Sequence, residues 1–498
     1  MRFGLAAAVI FIILCTISFT ESRRGSMSDT PADSNRVDDS PFVRQAIQKL
    51  WEERRRMGYT PLVQMRIPGM SSELDFYFKD ESRARTGNLK HRFAWCLFMW
   101  ALLEGHVSRN TTIFEASSGN TATSEAYFAQ LIGVPFVAVI PTTTDQQKID
   151  KIQKYGGKVH KADIAKQFIV AEEEAEKYVP IVQIACWSRN SHELTDIQKT
   201  LSSQEVTQQT SKQLVVATDL IDFVSVWWIL YESVCQCRKK PFVAKLNDLR
   251  ISEEYHESAS NDKESVNVFH EVLQQLKTVD RSMRPNYPEY FVHSAGTGGT
   301  ISSIGRYVRK YGGNTKVVMS DTQYSIYYDY VINQQFGNES GAAYWVAPGM
   351  AGTGFGYSGP AILGVTTSLQ PSVIDRALKV PDLASTAAMH VLKKLGINGG
   401  TSTGLNSTSV KKKNPNMRFR IVSILADSSD LYENTYFNKT WIADKFKPHG
   451  GLVTFKCWKG VIERSYRLGS DPLHSGDRKC KPEPPGANSR VCDGGECN

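Results

Sequence analysis

Residues 290–308 read YFVHSAGTGGTISSIGRYV, and this stretch decides the fold. Its start at 290–293 has the aromatic and β-branched residues of a strand, and from Ile301 onwards its apolar residues have helical spacing. The glycines in between allow backbone N–H groups to approach an anion at the start of the helix. A tight turn would also need glycine, so the stretch alone leaves both interpretations open. Only Gly296 and Gly298 match the dinucleotide pattern GxGxxG, so a single phosphate fits this turn better.

On either side of this stretch, predicted strands alternate with predicted helices. The other strands are expected at 74–79, 111–115, 136–140, 317–319 and 419–425, and the other helices at 41–58, 87–105, 122–132 and 148–155. This alternation indicates an α/β fold of parallel sheets covered by helices, in which sites lie at the carboxyl ends of strands.

The composition is that of an ordinary folded protein. The chain has 498 residues, 41% of them hydrophobic and 22% charged, which excludes a disordered or collagen-like protein. Its length allows about two or three domains. The net charge of +8 is too dilute over this length to argue for nucleic-acid binding.

Three further features offer chemistry. Lys90 lies early in a predicted apolar helix, where a partly desolvated amine can act as a nucleophile and proton carrier. The loop SSGNT at 117–121 offers hydroxyls, an amide and backbone N–H groups at a helix start, which suits a substrate carboxylate. The turn GGTSTG at 399–404 is also rich in small residues. Each has an ordinary alternative, namely a surface lysine, a helix cap or a simple turn, so each is weak evidence alone.

Taken together, these features resemble the pyridoxal-phosphate enzymes of the cysteine synthase and cystathionine β-synthase family, and within it most of all the L-cysteine desulfhydrase branch. The resemblance covers about residues 41–195 and 285–440. It is close in FYFKDESRARTGNLKHR, TTIFEASSGNTATSEAYFAQLIGVPFVAVIPTTT, KIQKYGGKVH, SAGTGGTISSIGRYVR and LADSSDLYENTYFN. It implies a two-lobed, fold type II enzyme similar to the tryptophan synthase β subunit, with pyridoxal 5'-phosphate as cofactor.

The resemblance also assigns roles to residues. Lys90 would bind the cofactor covalently and carry the α-proton, and Asn120 would hydrogen-bond the ring oxygen of the cofactor. The substrate carboxylate would be held by Ser117, Ser118 and Thr121, and the phosphate by Gly296, Thr297, Gly298, Gly299 and Thr300. Ser402 would face the pyridine nitrogen, where a neutral hydroxyl does not hold the ring protonated. That choice favours β-elimination over transamination.

The implied reaction is β-elimination or β-replacement on cysteine or an O-activated serine, catalysed by a homodimer. One alternative is a serine or threonine dehydratase of the same architecture. Another is a secreted, non-catalytic protein in which the fold survives as a binding module, because fold alone does not decide function.

Domain boundaries follow from the same resemblance. The larger, cofactor-binding lobe is expected at 41–94 and 285–440, and the smaller lobe, with the substrate loop, at 95–195. Residues 201–279 do not fit the family and are interpreted as an insertion or an error in the gene prediction. Residues 441–498 are expected to be a basic, cysteine-containing tail without helical or strand periodicity.

The N-terminal residues 1–22 have the layout of a secretory signal peptide, since an apolar run is followed by Arg23 and Arg24. A signal anchor or a wrongly assigned start, which would leave the protein cytoplasmic, are the alternatives. Glycosylation motifs occur at Asn110, Asn338, Asn406 and Asn438. The late cysteines, Cys457, Cys480, Cys492 and Cys497, are spaced unlike metal ligands, so no metal is expected, and they would suit disulfides in a secreted protein.

Overall fold

The computed structural model describes residues 40–66, 74–103, 105–117, 119–142, 144–162, 181–183, 267–279, 287–333, 340–357, 359–363, 367–408 and 419–480. The predicted signal segment, Ser118 and Asn338 lie outside these residues. The first helix begins at Ser40, and from Phe42 onwards every described element belongs to the compact unit Phe42–Asn498. Among the described helices, none combines the length and the apolar character that crossing a membrane requires.

The described elements follow one another in a strand and helix alternation. The helices are α1 (Ser40–Met57), α2 (Lys90–Leu103), α3 (Asn120–Ile132), α4 (Gln146–Lys154), α5 (Val268–Val279), α6 (Gly299–Lys310), α7 (Tyr327–Asn333), α8 (Asp382–Lys394), α9 (Thr401–Thr408), α10 (Lys439–Lys445), α11 (Gly451–Leu468) and α12 (Pro472–Lys479). The strands are β1 (Leu62–Met65), β2 (Leu74–Asp80), β3 (Thr112–Glu115), β4 (Phe136–Pro141), β5 (Lys158–Ala162), β6 (Ile181–Gln183), β7 (Tyr290–Ser294), β8 (Lys316–Thr322), β9 (Arg376–Val380) and β10 (Phe419–Leu425).

Two separate sheets are formed by these strands. The larger has six strands in the order β1-β2-β10-β7-β8-β9, in which β1 is antiparallel and every other pairing is parallel. In its centre, Val422 of β10 pairs with Tyr77 and with Phe291. The smaller has four parallel strands in the order β5-β4-β3-β6. The predicted parallel α/β architecture is confirmed.

Both faces of the larger sheet are buried. Along β2, Phe76 and Phe78 pack into one apolar cluster with α8 and α11, whereas Tyr77 packs into another with α5 and α6. Successive side chains of a strand point to opposite faces, so helices cover both sides of this sheet. Burial on both faces explains why its central strands are short apolar runs. Because these strands are parallel, the loops at their carboxyl ends lie along the same edge of the sheet.

Residues 441–480 are helical for the most part, contrary to the expectation of an irregular tail from 441 onwards, and the rest of that tail lies outside the described residues. Helices α10, α11 and α12 are present, and α11 packs against the larger lobe through Phe455, Trp458, Ile462 and Tyr466. These residues are three or four positions apart and form one helical face. The lysines and glycines between them conceal this sparse pattern. A disulfide joins Cys457 to Cys480, two of the four late cysteines that were expected to suit disulfides in a secreted protein.

The segment interpreted as an atypical insertion contains a helix of the core at its carboxyl end. In α5, Val268, Phe269 and Val272 are buried, and the Phe269 ring lies 5.7 Å from that of Phe291 in the larger sheet. Residues 268–279 therefore do not belong to an insertion. The preceding part of that segment lies outside the described residues.

Candidate active site

Lys90 is the first residue of α2 and is half-buried. Its backbone N–H donates to the side-chain oxygen of Asn88 at 2.9 Å, and its ammonium lies 5.4 Å from the ring centre of Phe93. Burial, together with the nearby charge of Lys90, lowers the pKa of His293 to about 3. Lys90 thus lies near the end of β7, where the glycine turn begins.

The glycine turn at 296–300 joins β7 to α6 and has no room for side chains at two positions. Gly298 has a φ of +95°, and a Cβ added there would overlap Leu369. A Cβ on Gly296 would lie 2.6 Å from the carbonyl oxygen of Gly352. The Thr297 carbonyl accepts two hydrogen bonds at 2.9 Å, one from the backbone N–H of Ser368 and one from the hydroxyl of Thr367. Packing therefore fixes the backbone of this turn.

The SSGNT loop follows β3, and Asn120 is the first residue of α3. The cap of this helix is Gly119, which has no side chain to cap it, so the loop is not an ordinary polar cap. The Ser117 hydroxyl accepts a weak hydrogen bond from the Gly119 N–H at 3.4 Å. Thr121 is half-buried in the first turn of α3. The hydroxyls of Ser117 and Thr121 therefore lie close to the N-terminus of α3.

Asp427 brings three of these parts together, and it was not among the predicted site residues. One carboxylate oxygen accepts hydrogen bonds from the amide nitrogen of Asn120 at 2.8 Å and from the Tyr432 hydroxyl at 2.7 Å. Its backbone pairs with Asn88, and its carbonyl accepts the Gly400 N–H at 3.2 Å. The available signal was a carboxylate just beyond the carboxyl end of a parallel strand.

Burial shapes the electrostatics around Asp427. The side chain is 3% exposed, and burial raises its pKa, although the hydrogen bonds from Asn120 and Tyr432 work in the opposite direction. Burial, with the carboxylate nearby, also raises the pKa of Tyr432 well above its usual range, so this hydroxyl keeps its proton and remains a donor. Ser402 is the second residue of α9 and is half-buried. It lies two residues after Gly400, whose N–H donates to the Asp427 carbonyl.

These parts lie at one edge of the larger sheet. The glycine turn follows β7, and Asp427 follows its neighbour β10. Since both strands are parallel, their carboxyl ends meet at the same edge, which is where cofactors bind in α/β sheets. Asn120 and the turns of Lys90 and Ser402 are joined there through Asp427.

The arrangement fits pyridoxal phosphate. The first N–H groups of α6 have no acceptor within the helix, and the glycines of the preceding turn place no side chain over them, so they can donate to a phosphate. A half-buried amine, an amide at a helix start and a hydroxyl at 402 complete the donor set that the cofactor needs. The residues that would hold it are Lys90, Asn120, Gly296 to Thr300, and Ser402.

One of the predicted glycosylation sites is excluded. Asn406 is fully buried in α9, with its amide nitrogen 3.2 Å from Nδ1 of His293. A glycan on this side chain could not be accommodated in the packed core, so the structure argues against the expectation at Asn406. Asn110 and Asn438 are exposed.

Comparisons with known proteins point to a family of enzymes that use pyridoxal phosphate. Residues 54–213 match the family described as "Pyridoxal-phosphate dependent enzyme". The chain is 38% identical to a Caenorhabditis elegans protein described as pyridoxal-phosphate dependent, over 87% of this chain and 88% of that protein. It is 31% identical to the L-cysteine desulfhydrase Cds1 of Mycobacterium tuberculosis, over 82% of this chain and 93% of that enzyme.

A solved structure has the same fold. The crystal structure of O-ureido-L-serine synthase superposes with a TM-score of 0.51 at 18% identity, covering 77% of this chain and 93% of that one. This likeness confirms the expected two-lobed fold type II architecture, and the two relatives confirm the expected family. The chain belongs to the family of pyridoxal-phosphate-dependent enzymes.

Proposed function

We propose that this protein catalyses β-elimination or β-replacement on cysteine or an O-activated serine. One observation carries the proposal: Asp427 contacts Asn120 and the turns that precede Lys90 and Ser402. These contacts lie at the same edge of the larger sheet as the glycine turn. Relatives named as an L-cysteine desulfhydrase, cysteine synthases and a cystathionine β-synthase support this class of substrate.

Each residue has a task in this reaction. When bound, pyridoxal phosphate supplies an electron sink for the pair left by removal of the α-proton. Lys90 would hold the cofactor, and its amine would accept the proton that leaves the substrate Cα. His293 is neutral because its pKa is low, so it adds no charge beside this amine. Ser402 would offer the pyridine nitrogen a neutral hydroxyl rather than a charged partner.

The substrate carboxylate is held by the loop at 117–121. Its hydroxyls and the unused N–H groups at the start of α3 offer donors, and the helix dipole favours an anion there. This binding fixes which bond at Cα faces Lys90. A dehydratase would need the same contacts, so its products, rather than the geometry, separate it from a desulfhydrase.

The test uses purified protein with pyridoxal phosphate and L-cysteine. The expected results are an absorbance band of lysine-bound cofactor, a change of that band on adding cysteine, and release of sulfide. Lys90→Ala is expected to abolish the band and sulfide release. Lys394→Ala, which changes an exposed lysine of α8, is the matched control and is expected to keep both. Ammonia from serine without sulfide from cysteine would favour the dehydratase, and a band that no amino acid changes would favour a non-catalytic protein.

The assembly is proposed to be a homodimer acting on a small amino acid. The support is the family alone, and the mass in solution tests it. Light scattering on the holoenzyme is expected to give twice the mass of the chain, and the mass of one chain would contradict the proposal.

The protein is further proposed to enter the secretory pathway, either secreted or anchored by its N-terminal apolar segment. Support comes from the Cys457–Cys480 disulfide, which persists in oxidising compartments, and from the exposed motifs at Asn110 and Asn438. The oxygen of the Asn438 side chain caps α10, which leaves its nitrogen available for a glycan. Glycosidase treatment of protein from a secretory host is expected to lower its mass, less so in Asn110→Gln and Asn438→Gln. Protein that keeps Met1 and carries no glycan would contradict this.

A further inference from the structure

The contact between Asp427 and Asn120 determines which way the Asn120 amide faces. A carboxylate accepts hydrogen bonds and an amide nitrogen carries two hydrogens, so the nitrogen of Asn120 must face Asp427. One hydrogen is used in the 2.8 Å bond to Asp427. The second remains available to donate toward the site. Without Asp427, the amide could rotate and present its carbonyl oxygen instead.

The carboxylate is itself held in place. Tyr432 donates to the same oxygen that Asn120 uses, at 2.7 Å, and lies only five positions after Asp427, in a tight turn. On the other side, a Cβ at Gly400 would overlap the second carboxylate oxygen, so the glycine lets the carboxylate fit. That second oxygen has no hydrogen-bond partner among the described residues. Packing and one strong donor therefore fix its orientation.

The backbone of the same residue joins the two turns that flank the site. Leu89, next to Lys90, donates its N–H to the carbonyl of Ala426 at 2.8 Å, and Asn88 pairs with Asp427. Gly400, two residues before Ser402, donates to the Asp427 carbonyl at 3.2 Å. The side chain of Asp427 therefore sets Asn120 relative to the turns that carry Lys90 and Ser402.

We propose that Asp427 is a positioning residue, which orients the Asn120 amide so that its free hydrogen is donated to the ring oxygen of the cofactor. The proposal rests on the proposed function, because it adopts the role of Asn120 as a cofactor contact. In this proposal Asp427 acts only through Asn120.

Two variants of similar shape test whether Asp427 acts as a hydrogen-bond acceptor or only fills space in the core. Asp427→Leu removes the acceptor, and Asp427→Asn keeps an oxygen that Asn120 and Tyr432 can still use. The dissociation constant of pyridoxal phosphate is measured by fluorescence titration, and the absorbance band of the bound cofactor is recorded. We expect Asp427→Leu to weaken binding by about 10- to 100-fold and to shift the band, because hydrogen bonds to charged groups have about this strength. Asp427→Asn is expected to bind within about threefold of wild type.

A double-mutant cycle shows whether the effect passes through Asn120. In an Asn120→Ala background, Asp427→Leu is expected to cause little further change in affinity or in the band. Asp430→Asn, an exposed aspartate in the same turn, is the matched control and is expected to bind like wild type.

Three outcomes would overturn the proposal: wild-type affinity in Asp427→Leu, an equal loss in the Leu and Asn variants, or a full additional loss on top of Asn120→Ala. If Asp427→Leu fails to fold, Tyr432→Phe, which removes the donor that holds the carboxylate, serves instead. It is expected to weaken binding in the wild-type background and to have no effect in the Asn120→Ala background. Failure of the wild type to bind the cofactor would contradict the proposed function rather than this inference.

Discussion

Arg92 and Glu271 form a two-point ion pair in the interior, with Nη1–Oε1 at 2.5 Å and Nη2–Oε2 at 2.9 Å, across 179 residues of sequence. Lys79 approaches the same carboxylate at 2.8 Å, and Glu81 accepts from Arg92 on its other side at 2.8 Å. Glu271 and Lys79 are fully buried. Since Arg92 is the third residue of α2, this network fixes the start of the helix that carries Lys90.

The first prediction concerns this network. Glu271→Gln is expected to lower the free energy of unfolding by about 3–5 kcal/mol, because it leaves the buried charges of Arg92 and Lys79 short of a counter-charge. Thermal unfolding of the two proteins measures the loss. Cofactor affinity is expected to fall as well, since the position of Lys90 depends on the first turn of α2.

The matched control is Glu463→Gln, whose carboxylate meets Lys394 at 3.0 Å on the surface. Exposed pairs contribute less than about 1 kcal/mol, so this variant is expected to melt close to wild type. Equal losses of stability in both variants would mean that the buried network contributes no more to the free energy of unfolding than an exposed ion pair.

Local patterns were sufficient to predict much of the fold and part of the site. The apolar runs at β2, β7 and β10 stand out because both faces of a parallel sheet are buried. Local patterns placed Lys90 at a helix start and the glycine turn after a strand, whereas their roles came from the resemblance to a family, because each feature alone was weak evidence. Such features depend only on near neighbours in the sequence.

Contacts between distant segments could not be predicted in this way. Asn120 and Asp427 are separated by 307 residues, and no periodicity in the sequence links them. The burial of Asn406 likewise depends on packing between α9 and β7, so its tripeptide looked like an ordinary surface motif. The helix α11 was missed for another reason, because its apolar stripe is sparse and lies between lysines and glycines.

The second prediction concerns the disulfide between Cys457 and Cys480, which closes a loop of 23 residues. Replacing both cysteines by serine is expected to lower stability by about 3 kcal/mol, since the unfolded chain regains the entropy of that loop. Thermal unfolding with and without reductant measures this. Reductant is expected to lower the melting temperature of the wild type and to leave the double variant unchanged. An equal response of both proteins to reductant would contradict the prediction.

The third prediction compares two glycine substitutions. Gly298→Ala is expected to weaken cofactor binding at least about tenfold, because alanine is strained at positive φ and its Cβ would push the turn away from Leu369. Gly460→Ala adds a Cβ that meets nothing within 4 Å on an exposed part of α11. It is expected to raise stability by about 0.5–1 kcal/mol and to leave binding unchanged. Titration with pyridoxal phosphate and thermal unfolding measure both. Normal cofactor binding by Gly298→Ala would exclude this turn as the phosphate site.

The last prediction is a pH dependence at Asp321, near the end of β8. Burial raises the pKa of this carboxyl to about 7, although the N–H of Tyr328 donates to it at 2.7 Å. In the unfolded chain the pKa is about 3.9, so the folded protein holds the proton more tightly. Wild-type stability from this group is therefore complete below about pH 4 and is lost as the pH rises to about 7.

Asp321→Asn removes this titration while keeping an oxygen for Tyr328. Its stability relative to wild type is expected to increase between about pH 5 and about pH 8, by an amount on the order of 3 kcal/mol. Melting temperatures of both proteins across this range measure it. Burial also raises the pKa of Asp382, to about 6, but that carboxyl titrates in both proteins and cancels in the difference. Asp329→Asn, at an exposed position in α7, is expected to show no such trend. A constant difference between Asp321→Asn and wild type would mean that Asp321 is ionised throughout, so that the polar contacts at the end of β8 outweigh its burial.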